Sequence, residues 1–255
     1  MGNLILCEKD GHLARVIINR PPVNVLNIAA MEEMTDVLQE VNQDPHVRAV
    51  IITGAGTKAF SGGVDVADHT SDKMQQMLDS FGALIKTILK LDKVSIAAIN
   101  GFALGGGCEV VIACDIAVAK QSAVLGQPEV KIGVYASIAN VLLPRMIGHK
   151  NAMEFLLSGD SVTAAEAARI GLVNTVVPDD QWEAEVEKMA ARLTDKSAAV
   201  LKWTRRSIID TISLPWEEAL KVSDQIYLSD LMKTRDAAEG IDAFINKRKL
   251  TWQDK

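Results

Sequence analysis

Twice in the first half of this chain an apolar run of strand length leads straight into a glycine-rich turn. Val47–Thr53 ends in Gly54-Ala-Gly56-Thr-Lys-Ala-Phe-Ser-Gly62-Gly63, and Val94–Ile99 ends in Gly101-Phe-Ala-Leu-Gly105-Gly106-Gly107-Cys-Glu109. Between them Met74, Met77, Leu78, Phe81, Leu84, Ile85, Ile88 and Leu89 recur at helical spacing. A second helix follows the later turn to about Ala113, then another apolar strand near Ile116–Ala119. Strands separated by helices cannot close as hairpins. They pair in parallel with helical crossovers, so the expected class is α/β.

The flanks are of other kinds. Leu4–Lys9 and Leu13–Ile18 alternate around Asp10-Gly11, a hairpin signal. Asn27 is placed to cap a helix over Ile28–Asn42, with Met31, Met34, Val37, Leu38 and Val41 on one face. From Ile138 onward the pattern turns mostly helical. Thr163-Ala-Ala-Glu166 reads as a capping box ending at Gly171, and Asp179/Asp180 as the start of a helix carrying Trp182, Val186, Met189 and Leu193. The expected division is 1–195 for the α/β core and 196–255 for a helical region. Trp203, Trp216, Leu220, Ile226, Leu231, Ile241 and Phe244 in that region imply packing on another subunit, or an ordinary intrachain core.

Composition removes several function classes. With 27 basic and 33 acidic residues the net charge is −6, which leaves no footprint for nucleic acid or an anionic membrane. The helix from Asp72 to Leu91 sets Lys73, Lys86 and Lys90 against Asp72 and Asp79, not a basic face. No apolar run reaches the ~18 residues of a membrane span, and the N-terminus turns polar too early for a signal peptide. Three cysteines and four scattered histidines give neither a disulfide framework nor a metal spacing, so no metal is expected. The expectation is a cytoplasmic protein.

The two turns are where chemistry can reside. Glycine lets a ligand approach the main chain, and free N–H groups from two loops can converge on one carbonyl oxygen. Neither turn has phosphate-loop spacing. Taken singly, each is more simply a tight corner. Glu109 sits in the first turn of an apolar helix and Glu129 follows in Gly126-Gln-Pro-Glu129. Alone, the first is an acid suited to the helix dipole and the second a loop acid. Together, beside a donor pair, they suggest acid–base work, one carboxyl being kept protonated by its neighbour and by apolar walls. Cys108 reads as a small buried hydrophobe, His69 as a solvated loop residue, and Asp65 as a brace for its own loop. Ser61 lies in no nucleophile elbow.

Several motifs in order resemble the crotonase (enoyl-CoA hydratase/isomerase) superfamily. They are Asn19-Arg-Pro-Pro-Val-Asn24-Val-Leu26-Asn27, Ala59-Phe-Ser-Gly-Gly63-Val64-Asp65, Asn100 to Glu109, Gly126-Gln-Pro-Glu129, Ser158-Gly-Asp, Gly171-Leu-Val-Asn-Thr-Val-Val-Pro178, and Glu239-Gly-Ile-Asp-Ala-Phe244-Ile-Asn-Lys247-Arg248. The resemblance covers nearly the whole chain. It implies a spiral of ββα repeats with a C-terminal helical trimerisation region, assembled as a homotrimer or homohexamer. It also implies an acyl-CoA substrate, with no cofactor because coenzyme A is part of that substrate.

By position the backbone N–H groups of Val64 and Gly106 would hold the thioester oxygen, and Glu109 and Glu129 would be the catalytic acids. Val25, Ser61, Gly62, Gly63, Asp65 and Val66 would line the CoA site, with Phe244 and Lys247 beside the CoA of a neighbouring subunit. Two acids favour addition of water over isomerisation. Decarboxylation, thioester hydrolysis and a non-catalytic or RNA-binding homologue remain open.

The departures lie beyond Glu129. Where straight-chain hydratases usually run Gly-x-x-Pro-Gly-x-Gly-Gly, this chain has Gly133-Val-Tyr135-Ala136-Ser137-Ile138-Ala139-Asn140, and Ala67 stands where lysine is frequent. Tyr135, Ala136, Ser137 and Asn140 are therefore the expected acyl wall. That wall resembles the hydratases of cyclohexa-1,5-diene-1-carbonyl-CoA in anaerobic aromatic degradation.

Overall fold

The computed structural model describes residues 3–254. Met1, Gly2 and Lys255 lie outside the described residues, and with them the first two positions of the signal-peptide reading.

β1 (Ile5–Asp10) and β2 (Leu13–Ile18) form the expected hairpin, Asp10 opposite Leu13, with Gly11 at φ +54° in the turn. Asn27 caps α1 (Ile28–Gln43), its Oδ1 accepting from the Ala30 N–H at 3.0 Å. Three strand–strand units follow: β3 (Ala49–Gly54) with β4 (Ala59–Ser61), β5 (Val94–Ile99) with β6 (Phe102–Leu104), and β7 (Ile116–Lys120) with β8 (Val124–Gly126). The first strand of each joins a large sheet and the second a small one, with α2 (Met74–Leu89) after the first unit and α3 (Gly106–Ala113) after the second. The chain thus winds as a spiral of ββα turns.

β3 and β5 are buried at every position, as strands covered on both faces must be. Their polar residues are satisfied inside the sheet. Thr53 Oγ1 donates to Ala98 O at 2.8 Å, and Ser95 Oγ to Asp115 Oδ2 at 2.9 Å.

The region beyond Ile138 contains two strands that periodicity does not reveal. After α4 (Ala139–Met146) and α5 (His149–Ser158) come β9 (Val162–Thr163), α6 (Ala164–Arg169) and β10 (Thr175–Val177). The large sheet then has the order β1-β2-β3-β5-β7-β10 and the small one β4-β6-β8-β9. Among the described residues only the β1–β2 and β8–β9 pairs are antiparallel.

Half of the expected capping box forms. Thr163 Oγ1 accepts from the Glu166 N–H at 3.2 Å, while the Glu166 carboxylate pairs with Arg169. Asp179 does not open the next helix, α7 (Trp182–Thr194). Its carboxylate instead accepts from the Ser122 N–H at 3.0 Å and from the Ser122 hydroxyl.

α8 (Ala198–Thr211), α9 (Trp216–Ser229) and α10 (Arg235–Ile245) complete the chain. Arg205 pins α8 to the core by an ion pair with Asp115 at 2.7 Å, and it donates to Ile88 O at 3.0 Å at the end of α2. Buried Asp236 gathers the Ser197 hydroxyl and the N–H groups of Gln253 and Asp254. Yet α9 has no buried residue, and Ile208, Ile212, Trp216, Leu228 and Phe244 stand exposed. Among the described residues no helix is long and apolar enough to cross a membrane.

Candidate active site

The site is built where the glycine turns of the two inner units meet. The Asn100 amide, at the end of β5, donates to Gly54 O and Gly56 O at 2.8 Å each, drawing one turn against the other. Asn24, itself at φ +53°, holds the same loop by donating to Ala55 O at 2.9 Å and Ala59 O at 2.8 Å.

The three consecutive glycines answer three demands. Gly105 adopts φ +52°, a conformation that L side chains rarely take, and a Cβ there would lie 2.8 Å from Glu129 Oε1. A Cβ on Gly106 would lie 2.7 Å from Val64 Cγ2 and 3.2 Å from Val64 N. One on Gly107 would lie 2.5 Å from Ser61 O. Absence of side chains is therefore what lets the loops touch.

This packing sets the Val64 and Gly106 N–H groups close together. Leu26 engages the oxygen of Gly63 and the nitrogen of Asp65 on either side of Val64, so the Val64 N–H faces away from that bridge. Gly106 is the first residue of α3, where N–H groups have no intrahelical acceptor and the helix dipole is positive. Among the described residues neither N–H has a protein acceptor. Such a pair can stabilise an oxyanion, and losing one donor of this kind costs ~3–4 kcal/mol of barrier.

Both groups open on a cavity of about 590 Å³ that also receives Glu109 and Glu129. Glu109 is 4% exposed, and its Oε1 accepts the Ile138 N–H at 2.9 Å and the Ala139 N–H at 2.8 Å. Burial pushes its pKa up to about 7 and the Glu129 charge adds to the rise, against the two amides that favour the carboxylate. Glu129 stands on a short 3₁₀ turn, Pro128–Ile132. Burial raises its pKa too, while the nearby His69 acts in the opposite sense. Gln127, 1% exposed, donates to both Glu129 oxygens at 3.1 Å when its carboxamide nitrogen faces them.

Gly62, Val66, Tyr135, Ala136 and Ser137 line the same cavity. Asn140 does not. It sits on the exposed side of the first turn of α4, because Glu109 binds the amides of Ile138 and Ala139 and fixes the phase of that helix. Ser61 is fully buried, and its hydroxyl accepts from the Gly63 N–H at 3.2 Å, bracing the loop rather than facing the cavity. Val25 packs beside Gly62 outside the cavity wall, and Gly63 lies behind it against the Leu104 and Gly105 backbone. Asp65 braces its loop as expected, accepting from the Ala67 N–H at 3.1 Å. Phe244 and Lys247 lie at the end of α10, away from this cavity.

Other wall residues escape sequence reading. Met74, Met77, Leu78 and Phe81 resemble core by their spacing, but the early turns of α2 wall the cavity and Leu78 is 43% exposed. Gln127 lies inside a recognised motif yet carries no signal of its own. His69, expected in solvent, is half-buried in the cavity wall. Cys108 is buried, and burial raises its thiol pKa, consistent with a small hydrophobe.

Comparison with known proteins agrees with this architecture. The family model for enoyl-CoA hydratase/isomerase matches residues 8–255. A crotonyl-CoA hydratase of Syntrophomonas wolfei is 36% identical over 257 residues, covering 98% of each chain. A cyclohexa-1,5-dienecarbonyl-CoA hydratase of Thauera aromatica is 34% identical over 248 residues, covering 97% of this chain and 95% of the other. The crystal structure of an enoyl-CoA hydratase from Bacillus anthracis superposes with a TM-score of 0.94 at 30% identity, covering 99% of this chain and all of that one. With parallel sheets wound into ββα turns, and a family match running almost end to end, this chain belongs to the enoyl-CoA hydratase/isomerase family of the crotonase superfamily and is an enzyme of the hydratase type.

Proposed function

We propose that this protein adds water across the double bond of an α,β-unsaturated acyl-CoA thioester, using Glu109 and Glu129 as acid–base groups and the Val64 and Gly106 N–H groups as the oxyanion hole. The observation that carries this reading is the convergence of two acceptor-free N–H groups, the buried Glu109 carboxyl and the half-buried Glu129 carboxyl on one cavity. The thioester oxygen accepts from the two N–H groups, so charge arising during addition falls on donors already in place. Glu109, fixed by two amides, orients the water. The water oxygen bonds to Cβ as its proton passes to Glu129. Glu129 then delivers a proton to Cα as the enolate-like charge collapses, so one water is consumed and both carboxyls are restored.

The CoA portion extends past Val25, Gly62, Asp65 and Val66, with buried Ser61 and Gly63 shaping that loop from behind and Val66 68% exposed at the cavity mouth. Phe244 and Lys247 serve the CoA of a neighbouring subunit in a homotrimer or homohexamer. The uncovered apolar residues of α8, α9 and α10 support such assembly. No cofactor is required, since coenzyme A is part of the substrate.

For the acyl group we favour a cyclic dienoyl thioester, on the Tyr135, Ala136 and Ser137 wall. Purified protein given crotonyl-CoA and cyclohexa-1,5-diene-1-carbonyl-CoA separately tests this. Hydration of the cyclic thioester is expected. Turnover of crotonyl-CoA alone overturns the cyclic assignment, and hydration of neither overturns the reaction.

A further inference from the structure

Besides Glu109 and Glu129 the cavity is lined by His69, Lys131 and Tyr135, ionisable side chains that the reaction above does not use. His69 follows the short 3₁₀ turn Val66–Asp68, and its Nδ1 lies 3.1 Å from Asp65 O. A carbonyl can only accept, so Nδ1 carries the hydrogen in that bond, which leaves Nε2 as the ring nitrogen outside it. The ring shares the cavity with Glu109 and Glu129, and Met74, Met77 and Leu78 form the apolar wall nearby.

We propose that His69 is a positioning residue that acts through Glu129: its imidazolium form holds Glu129 as the carboxylate, ready to take the proton from water. This rests on the hydratase reading for its catalytic consequence, but not for the interaction itself.

The other charged groups around the pair are occupied. Asp65 is engaged by the Ala67 N–H at 3.1 Å and by Arg20 at 3.7 Å. Asp68 accepts from the Ile28 N–H at 2.9 Å and pairs with Lys73 at 3.2 Å. Lys131, on the turn of Glu129, pairs with Asp160 at 2.7 Å. Glu129 in turn bears on Glu109 as a like charge. Burial raises the Glu129 pKa, and the direction of the His69 influence is the opposite one.

The test uses His69→Asn, whose amide can still donate to Asp65 O but cannot titrate, with His69→Leu as a second variant. The Glu129 carboxylate band is followed by infrared titration of the full-length protein and assigned by its loss in Glu129→Gln. The midpoint is expected to rise by about half a unit to one unit in both histidine variants. Where wild type hydrates an enoyl-CoA, kcat/KM at pH 6 should fall about three- to tenfold in His69→Asn, with KM changed less than twofold.

An unchanged Glu129 midpoint in a folded His69→Asn protein overturns the proposal. A raised midpoint in a protein that hydrates no enoyl-CoA upholds the interaction and overturns the hydratase reading instead.

Discussion

The two carboxyls of the site are held in opposite ways. Glu109 projects from α3, a helix buried at all eight positions, and two backbone amides of the next helix grip one of its oxygens. Glu129 stands on a five-residue 3₁₀ turn with no buried residue, and a side-chain amide, Gln127, faces it. Main-chain donors on a packed scaffold leave Glu109 little freedom. Glu129 sits against Gly105 with side chains for neighbours, so its position and charge are easier to adjust. One acid is a fixed reference and the other is the tunable member of the pair.

The largest test of this contrast is removal of each charge. Glu129→Gln and Glu109→Gln are each expected to lower kcat by about 10²–10⁴-fold in steady-state assays, with KM little changed. A Glu109→Gln variant at full activity overturns two-acid hydration. The same variant reports on stability. With a folded pKa of about 7 against the ordinary 4.5 of a glutamate, Glu109 keeps its proton between those values in the folded state while the unfolded chain loses it. Wild-type stability should therefore decline as pH rises from about 4.5 to 7 and level off above. Denaturant unfolding should find Glu109→Gln free of that decline and more stable at pH 8 by about 2–3 kcal/mol.

Gly105→Ala is expected to be next in size. It places a methyl 2.8 Å from Glu129 Oε1 at a strained φ, and kcat/KM should fall about 100-fold. Gln127→Ala loosens only the adjustable acid, so a fall of about tenfold in kcat is expected, with a shifted pH profile. Asn140→Ala should change kcat/KM by less than about twofold, because Asn140 lies outside the cavity. A larger loss would mean that the acyl group extends over the first turn of α4.

Sequence legibility followed the range of the forces involved. The Asp10-Gly11 hairpin, the Asn27 cap and the buried β3 and β5 runs are local, and each stands as the pattern implies. β9 and β10, of two and three residues, exist because neighbouring strands offer them partners, and no alternation that short can announce them. Asp179 has the chemistry of a cap but meets Ser122, far away in sequence, before it meets its own helix. The site divides in the same manner. Glycines and acids in ordered motifs mark the turns and both carboxyls. His69, Gln127 and the α2 wall take their places from tertiary folding alone.

The close approach of Gly107 to Ser61 O, and of Gly106 to Val64, has a consequence for how such an enzyme diversifies. The spacing of the two N–H groups is dictated by side-chain-free glycine backbone resting on Ser61 and Val64, so few side chains in that contact are available to drift. The wall from Gly133 to Ser137 has no share in it. A library randomised over that wall could therefore be selected for new acyl groups while the grip on the thioester is inherited intact, making substrate range the evolvable half of this molecule.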